Sequence, residues 1–327
     1  MPRIEAICVS EAKGQRKLPV ESASFRSGHG IEGDAHAGPW HRQVSLLSAE
    51  DIAAARQGGL PDLKPGDFAE NAILSGLDLN SFGLGTRIRL GRSAELSITQ
   101  IGKVCHAPCQ IYALTGDCIM PRRGLFARVV ADGEVRVGDA AEVIRPVGRD
   151  VFQVVLLTIS DRCSRGEARD TAGPAVSEAI SRSLPVHLYR TEIIPDDQPV
   201  IVGRLKHYCD GHSIDMVVTI GGTGFSRRDV TPEASRAVIE RFTPGLDEAM
   251  RAESMGKTPR GALSRAVSGI RGSTLIVNLP GSERSSVENI AAILPALEHG
   301  LGKLRGDPSD CGRSRALGPG DGATDAR

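Results

Sequence analysis

Two aspartates that are far apart in the chain, Asp196 and Asp229, lie in segments suited to phosphate chemistry. Asp229 follows the glycine-rich turn Gly221, Gly222, Thr223 and Gly224, whose backbone N–H groups can converge on an anion because glycine has no Cβ. Since Mg²⁺ bridges carboxylates and phosphate oxygens, we expect Asp196 and Asp229 to be metal ligands.

Further donors near this site are expected from two later segments. These residues are Ser264, Arg265, Pro280 and Gly281. Two structural alternatives stay open: the glycine turn could only connect two elements, and Asp196 or Asp197 could cap a helix. We also expect Thr231 to be an N-cap, with Pro232 at the first helical position.

The first half of the chain contains two other polar segments. Asp34, His36 and His41 could form part of a metal site, although no further ligands are obvious and a hydrogen-bonded glycine loop is the commoner outcome. Cys105 and Cys109 flank a histidine and could bind zinc, act as a reactive thiolate or be buried structural cysteines. Nearby basic side chains, such as Lys103, would lower the pKa of a thiol there.

The pattern of apolar residues indicates an α/β protein with two domains. Residues 1–145 contain short alternating apolar runs, which predict a β-rich, barrel-like domain with one helix capped by Ser48. After a linker at 146–150, strand and helix patterns alternate through residues 151–305, which predicts a three-layer domain with a mostly parallel sheet. Four strands there end in small polar residues, and ligands bind beyond the carboxyl ends of such strands. We expect residues 306–327 to form a disordered tail.

Composition narrows the classes of partner. The 40 basic and 40 acidic residues cancel, which argues against nonspecific binding to nucleic acid or to an anionic membrane. No apolar run approaches the roughly 20 residues of a membrane span, and no signal region follows the N-terminus, so we expect a cytoplasmic protein. The 7 scattered cysteines are typical of free thiols rather than of a disulfide framework.

The second half resembles the molybdopterin adenylyltransferase family, of the MogA and MoaB type. The matching segments are Ser160-Asp161-Arg162, Ile194-Pro195-Asp196, the glycine turn, Arg228-Asp229-Val230-Thr231-Pro232, Leu263-Ser264-Arg265 and Asn278-Leu279-Pro280-Gly281. The resemblance implies that ATP and Mg²⁺ are used to transfer AMP to the terminal phosphate of molybdopterin, with Asp196 and Asp229 needed for activity. It also implies a homo-oligomer, usually a trimer. Asp197 departs slightly from relatives that carry Glu there.

The first half resembles the MOSC domain of molybdenum cofactor sulfurases. The matching segments are 30–36, 42–45, 66–71, 105–109 and 135–139. The resemblance implies that this half binds molybdenum cofactor, with Cys109, or else Cys105, as the thiol that holds sulfur or coordinates molybdenum. A molybdenum-insertion protein and molybdoenzymes are then expected partners, and a sulfur donor would be a separate protein.

Three functions therefore remain to be separated. The leading one is an adenylyltransferase with a fused domain that binds, sulfurates or delivers the cofactor. The second is a noncatalytic carrier of molybdopterin or molybdenum cofactor. The third places the main activity in the first domain, as a thiol-dependent enzyme.

Overall fold

The computed structural model describes residues 1–60, 62–103 and 118–308. Its first half contains strands β1 (Arg3–Val9), β2 (Leu18–Val20), β3 (Ser22–Arg26), β4 (Gly30–Ile31), β5 (Val44–Ser48), β6 (Ala72–Ser75), β7 (Arg87–Leu90), β8 (Ala94–Ile101), β9 (Leu125–Ala131), β10 (Gly133–Arg136) and β11 (Ala141–Arg145). The helices there are α1 (Ala49–Gln57) and α2 (Met120–Arg123). Ser48 caps α1 by accepting a hydrogen bond from the backbone N–H of Asp51 (2.9 Å), as the sequence predicted.

The first half is β-rich, which confirms that part of the prediction. Within the described residues, eight strands form one sheet in the order β11-β7-β8-β9-β5-β6-β1-β2, and β10, β3 and β4 form a second, smaller sheet. A bridge between Arg3 and Ala140 brings the start of β1 beside the segment that leads into β11. Closure of the strands into a barrel stays a prediction.

The second half alternates strands and helices. Its strands are β12 (Phe152–Ile159), β13 (Val186–Ile194), β14 (Met216–Ile220), β15 (Arg241–Phe242), β16 (Ser268–Arg271) and β17 (Thr274–Leu279). Its helices are α3 (Asp161–Ser164), α4 (Ala172–Ser183), α5 (Gln198–Gly211), α6 (Thr231–Arg236), α7 (Pro244–Lys257) and α8 (Glu283–Leu304). The predicted linker falls between the end of β11 and the start of β12.

The second-half sheet has the order β13-β12-β14-β17-β16-β15 in the described part of the chain. The first four strands of that order are parallel, and β16 and β15 add an antiparallel edge. One face packs against α4, α7 and α8 through side chains such as Val176, Met250 and Ile290. The other face packs against α5 and α6 through side chains such as Leu205 and Ala234. The predicted α/β architecture with helices on both faces is therefore present.

The start of α6 differs from the predicted one by one residue. The helix predicted to start after Thr231 instead begins at Thr231, and Val230 is its N-cap residue without a side-chain hydrogen bond. The Thr231 backbone N–H donates to the carbonyl oxygen of Gly222 (3.2 Å), so the residue is tied to the glycine turn rather than capping the helix.

None of the helices in the described part of the chain has the length and apolar character that crossing a bilayer requires.

Candidate functional site

The carboxyl ends of the four parallel strands meet at one edge of the second-half sheet. The chain passes from β12 to its neighbour β13 on one side and then to β14 on the other side. The gap between the ends of β12 and β14 is therefore a topological switch point, where open α/β sheets bind their ligands. A cavity of about 280 Å³ lies there, and we call it the switch-point cavity.

The polar lining of the switch-point cavity carries both signs of charge. Its charged residues are Asp161, Asp170, Asp196, Asp229, Arg162, Arg169 and Arg228. Backbone of the glycine turn and the start of α4 complete the wall. Arginines are suited to phosphate oxygens and carboxylates to a divalent cation, so this combination can hold a phosphorylated substrate together with its counter-ion.

Asp196 is held at the cavity by a reciprocal pair of hydrogen bonds. The Asp161 backbone N–H donates to Asp196 Oδ2 (2.8 Å), and the Asp196 backbone N–H donates to Asp161 Oδ1 (3.1 Å). Partial burial raises the pKa of Asp196; the backbone hydrogen bond from Asp161 opposes this shift, and the negative charges of Asp161 and Asp229 add to it. A cation between these carboxylates would relieve that repulsion.

The adjacent residue does the capping that the sequence left open for either aspartate. Asp197 accepts a hydrogen bond from the backbone N–H of Val200 (2.9 Å) and so caps α5. Asp196 is thereby left to line the cavity. The capping interpretation is therefore confirmed for Asp197, and the role of Asp196 as a metal ligand stays a prediction.

The backbone of the glycine turn lies closer to neighbouring side chains than a residue with a Cβ would allow. Gly221 has φ +113° and Gly222 has φ +63°, in the left-handed region that favours glycine. A Cβ on Gly222 would lie less than 3.0 Å from Thr231 Oγ1 and 3.2 Å from Asp196 Oδ1. The backbone therefore passes directly beside a cavity carboxylate.

Asp229 is fixed by its own loop, and Arg265 fixes that loop. The Ser226 backbone N–H donates to Asp229 Oδ2 (2.9 Å). The Arg265 guanidinium donates to the carbonyl oxygens of Gly224 (2.7 Å) and Asp229, and it also pairs with Glu233. Arg265 thus orders the segment between the glycine turn and Asp229, and its guanidinium is already occupied by protein oxygens.

The structure brings only some of the expected site residues to the switch-point cavity. Asp196, Asp229, Gly221, Gly222 and Gly281 line it. Five others do not line it, namely Thr223, Gly224, Ser264, Arg265 and Pro280. Cys105 and Cys109 lie outside the described residues.

The cavity is also lined by charged residues that were not predicted as site residues. Asp161, Asp170 and the three arginines follow the ends of β12 or the glycine turn, which is the signal that could have identified them. Asp170 accepts hydrogen bonds from Thr158 Oγ1 (2.6 Å) and the Gly173 backbone N–H (2.9 Å), so it joins the end of β12 to the first turn of α4.

The donor set at the cavity fits a hard cation only in part. Among the described residues, no group of three or more His, Cys, Asp or Glu side chains is arranged to hold a metal ion. Asp196 and Asp229 each commit Oδ2 to a backbone N–H. Their Oδ1 atoms accept no hydrogen bond from the described residues, so two carboxylate oxygens are available while substrate phosphate and water would supply the rest.

The first half has a pocket of its own, of about 220 Å³, which we call the first-domain pocket. Its polar lining consists of His36, Trp40, Arg42, Ser45, Asn71 and Lys103. The Arg42 guanidinium lies over the rings of Trp40 (5.1 Å) and Phe126 (5.8 Å). Its buried Nε has no hydrogen-bond partner among the described residues, so a donor is available to a ligand.

A buried ion pair supports the wall of this pocket. Lys17 Nζ donates to Asp34 Oδ2 and lies 3.3 Å from His36 Nδ1. Burial lowers the pKa of Lys17; burial acts to raise the pKa of Asp34, but hydrogen bonds from His36 and Lys17 lower it overall. His36 and His41 line different cavities, so the described structure does not support a metal site built from both.

Comparison with known proteins finds one matching family model in each half of the chain. Residues 155–299 match the family model described as a probable molybdopterin binding domain, and residues 33–142 match the MOSC domain model. A molybdopterin adenylyltransferase of Helicobacter pylori is 40% identical over 158 residues, which cover 48% of this chain and 89% of the relative. A molybdopterin adenylyltransferase of Escherichia coli is 41% identical over 149 residues, covering 45% of this chain and 76% of the relative. The solved structure of the molybdopterin biosynthesis enzyme MoaB from Thermus thermophilus is 44% identical, covers 48% of this chain and 99% of its own, and has a TM-score of 0.46.

Proposed function

We propose that the switch-point cavity adenylates molybdopterin in molybdenum cofactor biosynthesis. The chain belongs to the molybdopterin adenylyltransferase family, and a MOSC domain precedes the part that matches this family. AMP would be transferred from ATP, with Mg²⁺ as the counter-ion. The observation that carries the proposal is the convergence of Asp196 and Asp229 beside the backbone of Gly221 and Gly222 at the topological switch point.

The reaction would be a direct displacement at phosphorus. An oxygen of the terminal phosphate of molybdopterin forms a bond to the α-phosphorus of ATP, and the bond to the departing pyrophosphate breaks. Arg162, Arg169 and Arg228 line the cavity and would balance the negative charge of the phosphates. Backbone N–H groups of the glycine turn would orient one phosphate group.

Asp196 and Asp229 are the residues that would hold Mg²⁺, through the Oδ1 atoms that their loops leave available. The ion would supply charge neutralisation to the phosphate oxygens. Asp161 positions Asp196 through their reciprocal hydrogen bonds, and Arg265 positions Asp229 through the loop carbonyl groups. These two residues are positioning residues rather than catalytic ones.

The first domain would handle the cofactor rather than perform the transfer. Arg42, His36 and Lys103 give the first-domain pocket the donors that an anionic pterin needs. Cys109, with Cys105 as the alternative, is proposed as the functional thiol of the segment that follows Lys103. The proposal also includes domain limits of 1–145 and 151–305, assembly as a homotrimer, and delivery of the cofactor to a molybdenum-insertion protein and molybdoenzymes.

The test is formation of adenylated pterin by the purified full chain with molybdopterin, ATP and Mg²⁺. Asp196→Asn and Asp229→Asn should each lower the rate by at least about a hundredfold, because each removes a charge that acts on the transferring phosphate. Asp197→Asn is the matched control, since it makes the same change one position from Asp196 and asparagine still caps α5.

Two results would contradict the proposal. Folded protein that forms no adenylated pterin, yet binds molybdopterin with an affinity that ATP and Asp229→Asn leave unchanged, would indicate the noncatalytic carrier. An activity abolished by Cys109→Ser and unaffected by Asp229→Asn would place the chemistry in the first domain.

A further inference from the structure

A third cavity, of about 490 Å³, lies between the two domains, and we call it the interdomain cavity. The first domain contributes the strands that carry Arg87, Thr99 and Arg128. The second domain contributes β13 and α5, with Glu192 and Arg204 among their lining residues. The cavity is separate from the switch-point cavity, with which it shares no lining residue.

Positive charge dominates this lining. Its arginines are Arg87, Arg128, Arg145, Arg190 and Arg204, whereas Glu192 is its only carboxylate among the described residues. Glu192 is shared, lying 3.3 Å from Arg190 and 3.3 Å from Arg204. Arg128 and Arg145 form no ion pair within residues 1–60, 62–103 and 118–308. The cavity therefore holds more guanidinium groups than its carboxylate can neutralise.

Three histidines from both domains meet at the wall beside these arginines. The ring of His41, from the first domain, lies 4.6 Å from that of His212 in the second, and His212 Nε2 lies 3.2 Å from His207 Nε2. His212 Nδ1 also lies 3.3 Å from the carbonyl oxygen of Thr99 across the domain boundary. A neutral imidazole carries one N–H, and those of His41 and His212 are directed at the oxygens of Gln100 and Thr99, so the cluster joins the two domains beside the arginines without adding a charge.

Arg128 acts on all three imidazoles, while Arg42 also acts on His41 and Arg204 on His207. Burial is the main cause that lowers the pKa of each of His41, His207 and His212, and the positive charge of Arg128 contributes to all three shifts. An arginine that repels protons from three neighbouring imidazoles, and that has no carboxylate partner among the described residues, leaves a positive potential that an anion would neutralise.

We propose that the interdomain cavity binds a phosphate-bearing small molecule, held by Arg128 of the first domain and by Arg204 of α5, beside the histidine cluster. The guanidinium fork matches phosphate geometry, and the volume lies within the range of about 300–1,000 Å³ typical of small-molecule sites. A ligand there contacts both halves of the chain at once. This site is additional to the adenylation site and does not depend on it.

Trp40 provides the readout. It is the single tryptophan of the chain and it lines the interdomain cavity. Inorganic pyrophosphate is the probe, titrated without Mg²⁺, ATP or pterin at constant ionic strength. We expect a saturable change in Trp40 fluorescence, with the dissociation constant raised at least about tenfold in both Arg128→Gln and Arg204→Gln, because a charge-assisted hydrogen bond is lost in each. Arg182→Gln is the matched control, an exposed arginine on α4 that pairs with Glu178.

Trp40 also lines the first-domain pocket, so the variants are chosen to show which cavity produces the fluorescence change. Arg204 belongs to the second domain and lies outside that pocket; a signal from the first-domain pocket would persist unchanged in Arg204→Gln and would overturn the proposal. A signal lost in Arg228→Gln but retained in Arg128→Gln would place the anion in the switch-point cavity and would also overturn it. Absence of any saturable change in folded protein would do the same. The titration measures no adenylation, so a negative result would not affect the proposed function. Failure of the adenylation assay would likewise not affect the proposed anion site.

Discussion

The approach of Gly222 to Thr231 and Asp196 makes Gly222→Ala a quantitative test of the site geometry. The added methyl group would meet Thr231 Oγ1 at less than 3.0 Å and Asp196 Oδ1 at 3.2 Å. It would also place alanine at φ +63°, in the left-handed region. Thr231 is fully buried, so its hydroxyl cannot move freely away from the new methyl group, whereas the half-buried Asp196 carboxylate can shift.

The expected loss of stability has two parts. Alanine in the left-handed conformation costs about 1–2 kcal/mol, and the more restricted unfolded chain offsets less than about 1 kcal/mol of that. Overpacking against Thr231 adds about 1–3 kcal/mol. Gly272→Ala isolates the first part, because Gly272 lies in the same domain with φ +56° and nothing within 4 Å of its added Cβ. We therefore expect the free energy of unfolding to fall by about 1–3 kcal/mol more in Gly222→Ala than in Gly272→Ala.

Urea denaturation of the two variants measures this difference, and a double-mutant cycle identifies its source. Thr231 Oγ1 is buried without a hydrogen-bond partner among the described residues, so Thr231→Ala removes the obstacle without breaking a hydrogen bond. The double variant Gly222→Ala/Thr231→Ala should recover at least about 1 kcal/mol relative to additivity.

Activity should respond more steeply than stability. Displacement of the Asp196 carboxylate by about 1 Å is expected to slow AMP transfer by about a hundredfold, while Gly272→Ala keeps the wild-type rate. Equal unfolding free energies for the two alanine variants, or strict additivity in the cycle, would refute the geometry on which the site is built.

Two further changes test other parts of the structure. Burial, with the charges of His41 and His207, lowers the pKa of His212 to about 3, so below pH 6.5 the unfolded chain takes up a proton that the folded chain resists. Between pH 8 and pH 5 the wild type should therefore lose about 2 kcal/mol more stability than His212→Gln. Equal losses of the two proteins in urea denaturation would contradict this. Lys17→Met leaves Asp34 buried without its cation and should lower the free energy of unfolding by about 3–5 kcal/mol, much of it recovered in Lys17→Met/Asp34→Asn. A loss below about 1 kcal/mol in thermal or urea unfolding would show that the pair is not buried as described.

The sequence predicts part of the lining of the switch-point cavity because strand order and motif position act together. Asp196 follows the edge strand β13, the glycine turn follows the buried strand β14, and parallel strands present their carboxyl ends at one edge. That rule places Asp196, Gly221 and Gly281 at one site without knowledge of the side-chain contacts. It does not say which neighbours line the cavity, since the pairing of Asp161 with Asp196 depends on how two loops fold onto each other.

Where the sequence is less informative, contacts distant along the chain decide the outcome. Arg265 was expected to hold pterin or phosphate, yet its guanidinium bonds to carbonyl oxygens of the Gly224–Asp229 loop, more than thirty residues earlier in the chain. The antiparallel strands β15 and β16 were not anticipated, because two- and four-residue strands, one of them containing Gly269, carry little periodic signal. Thr231 has the sequence signature of an N-cap, but its backbone bond to Gly222 takes it into the helix.

The linker at 146–150 suggested two domains with separate cores, but the structure joins them. One cluster of buried apolar side chains contains Leu84 and Ala141 of the first domain together with Leu205 and Tyr208 of the second. Because that apolar surface is removed from water only when both halves are folded, we expect the stability of each half to depend on the other. A ligand in the interdomain cavity would stabilise both halves by mass action. A substitution in either half can then lower activity at the switch-point cavity simply by unfolding the chain, so an effect is assigned to the cavity only when the free energy of unfolding of the same variant is preserved.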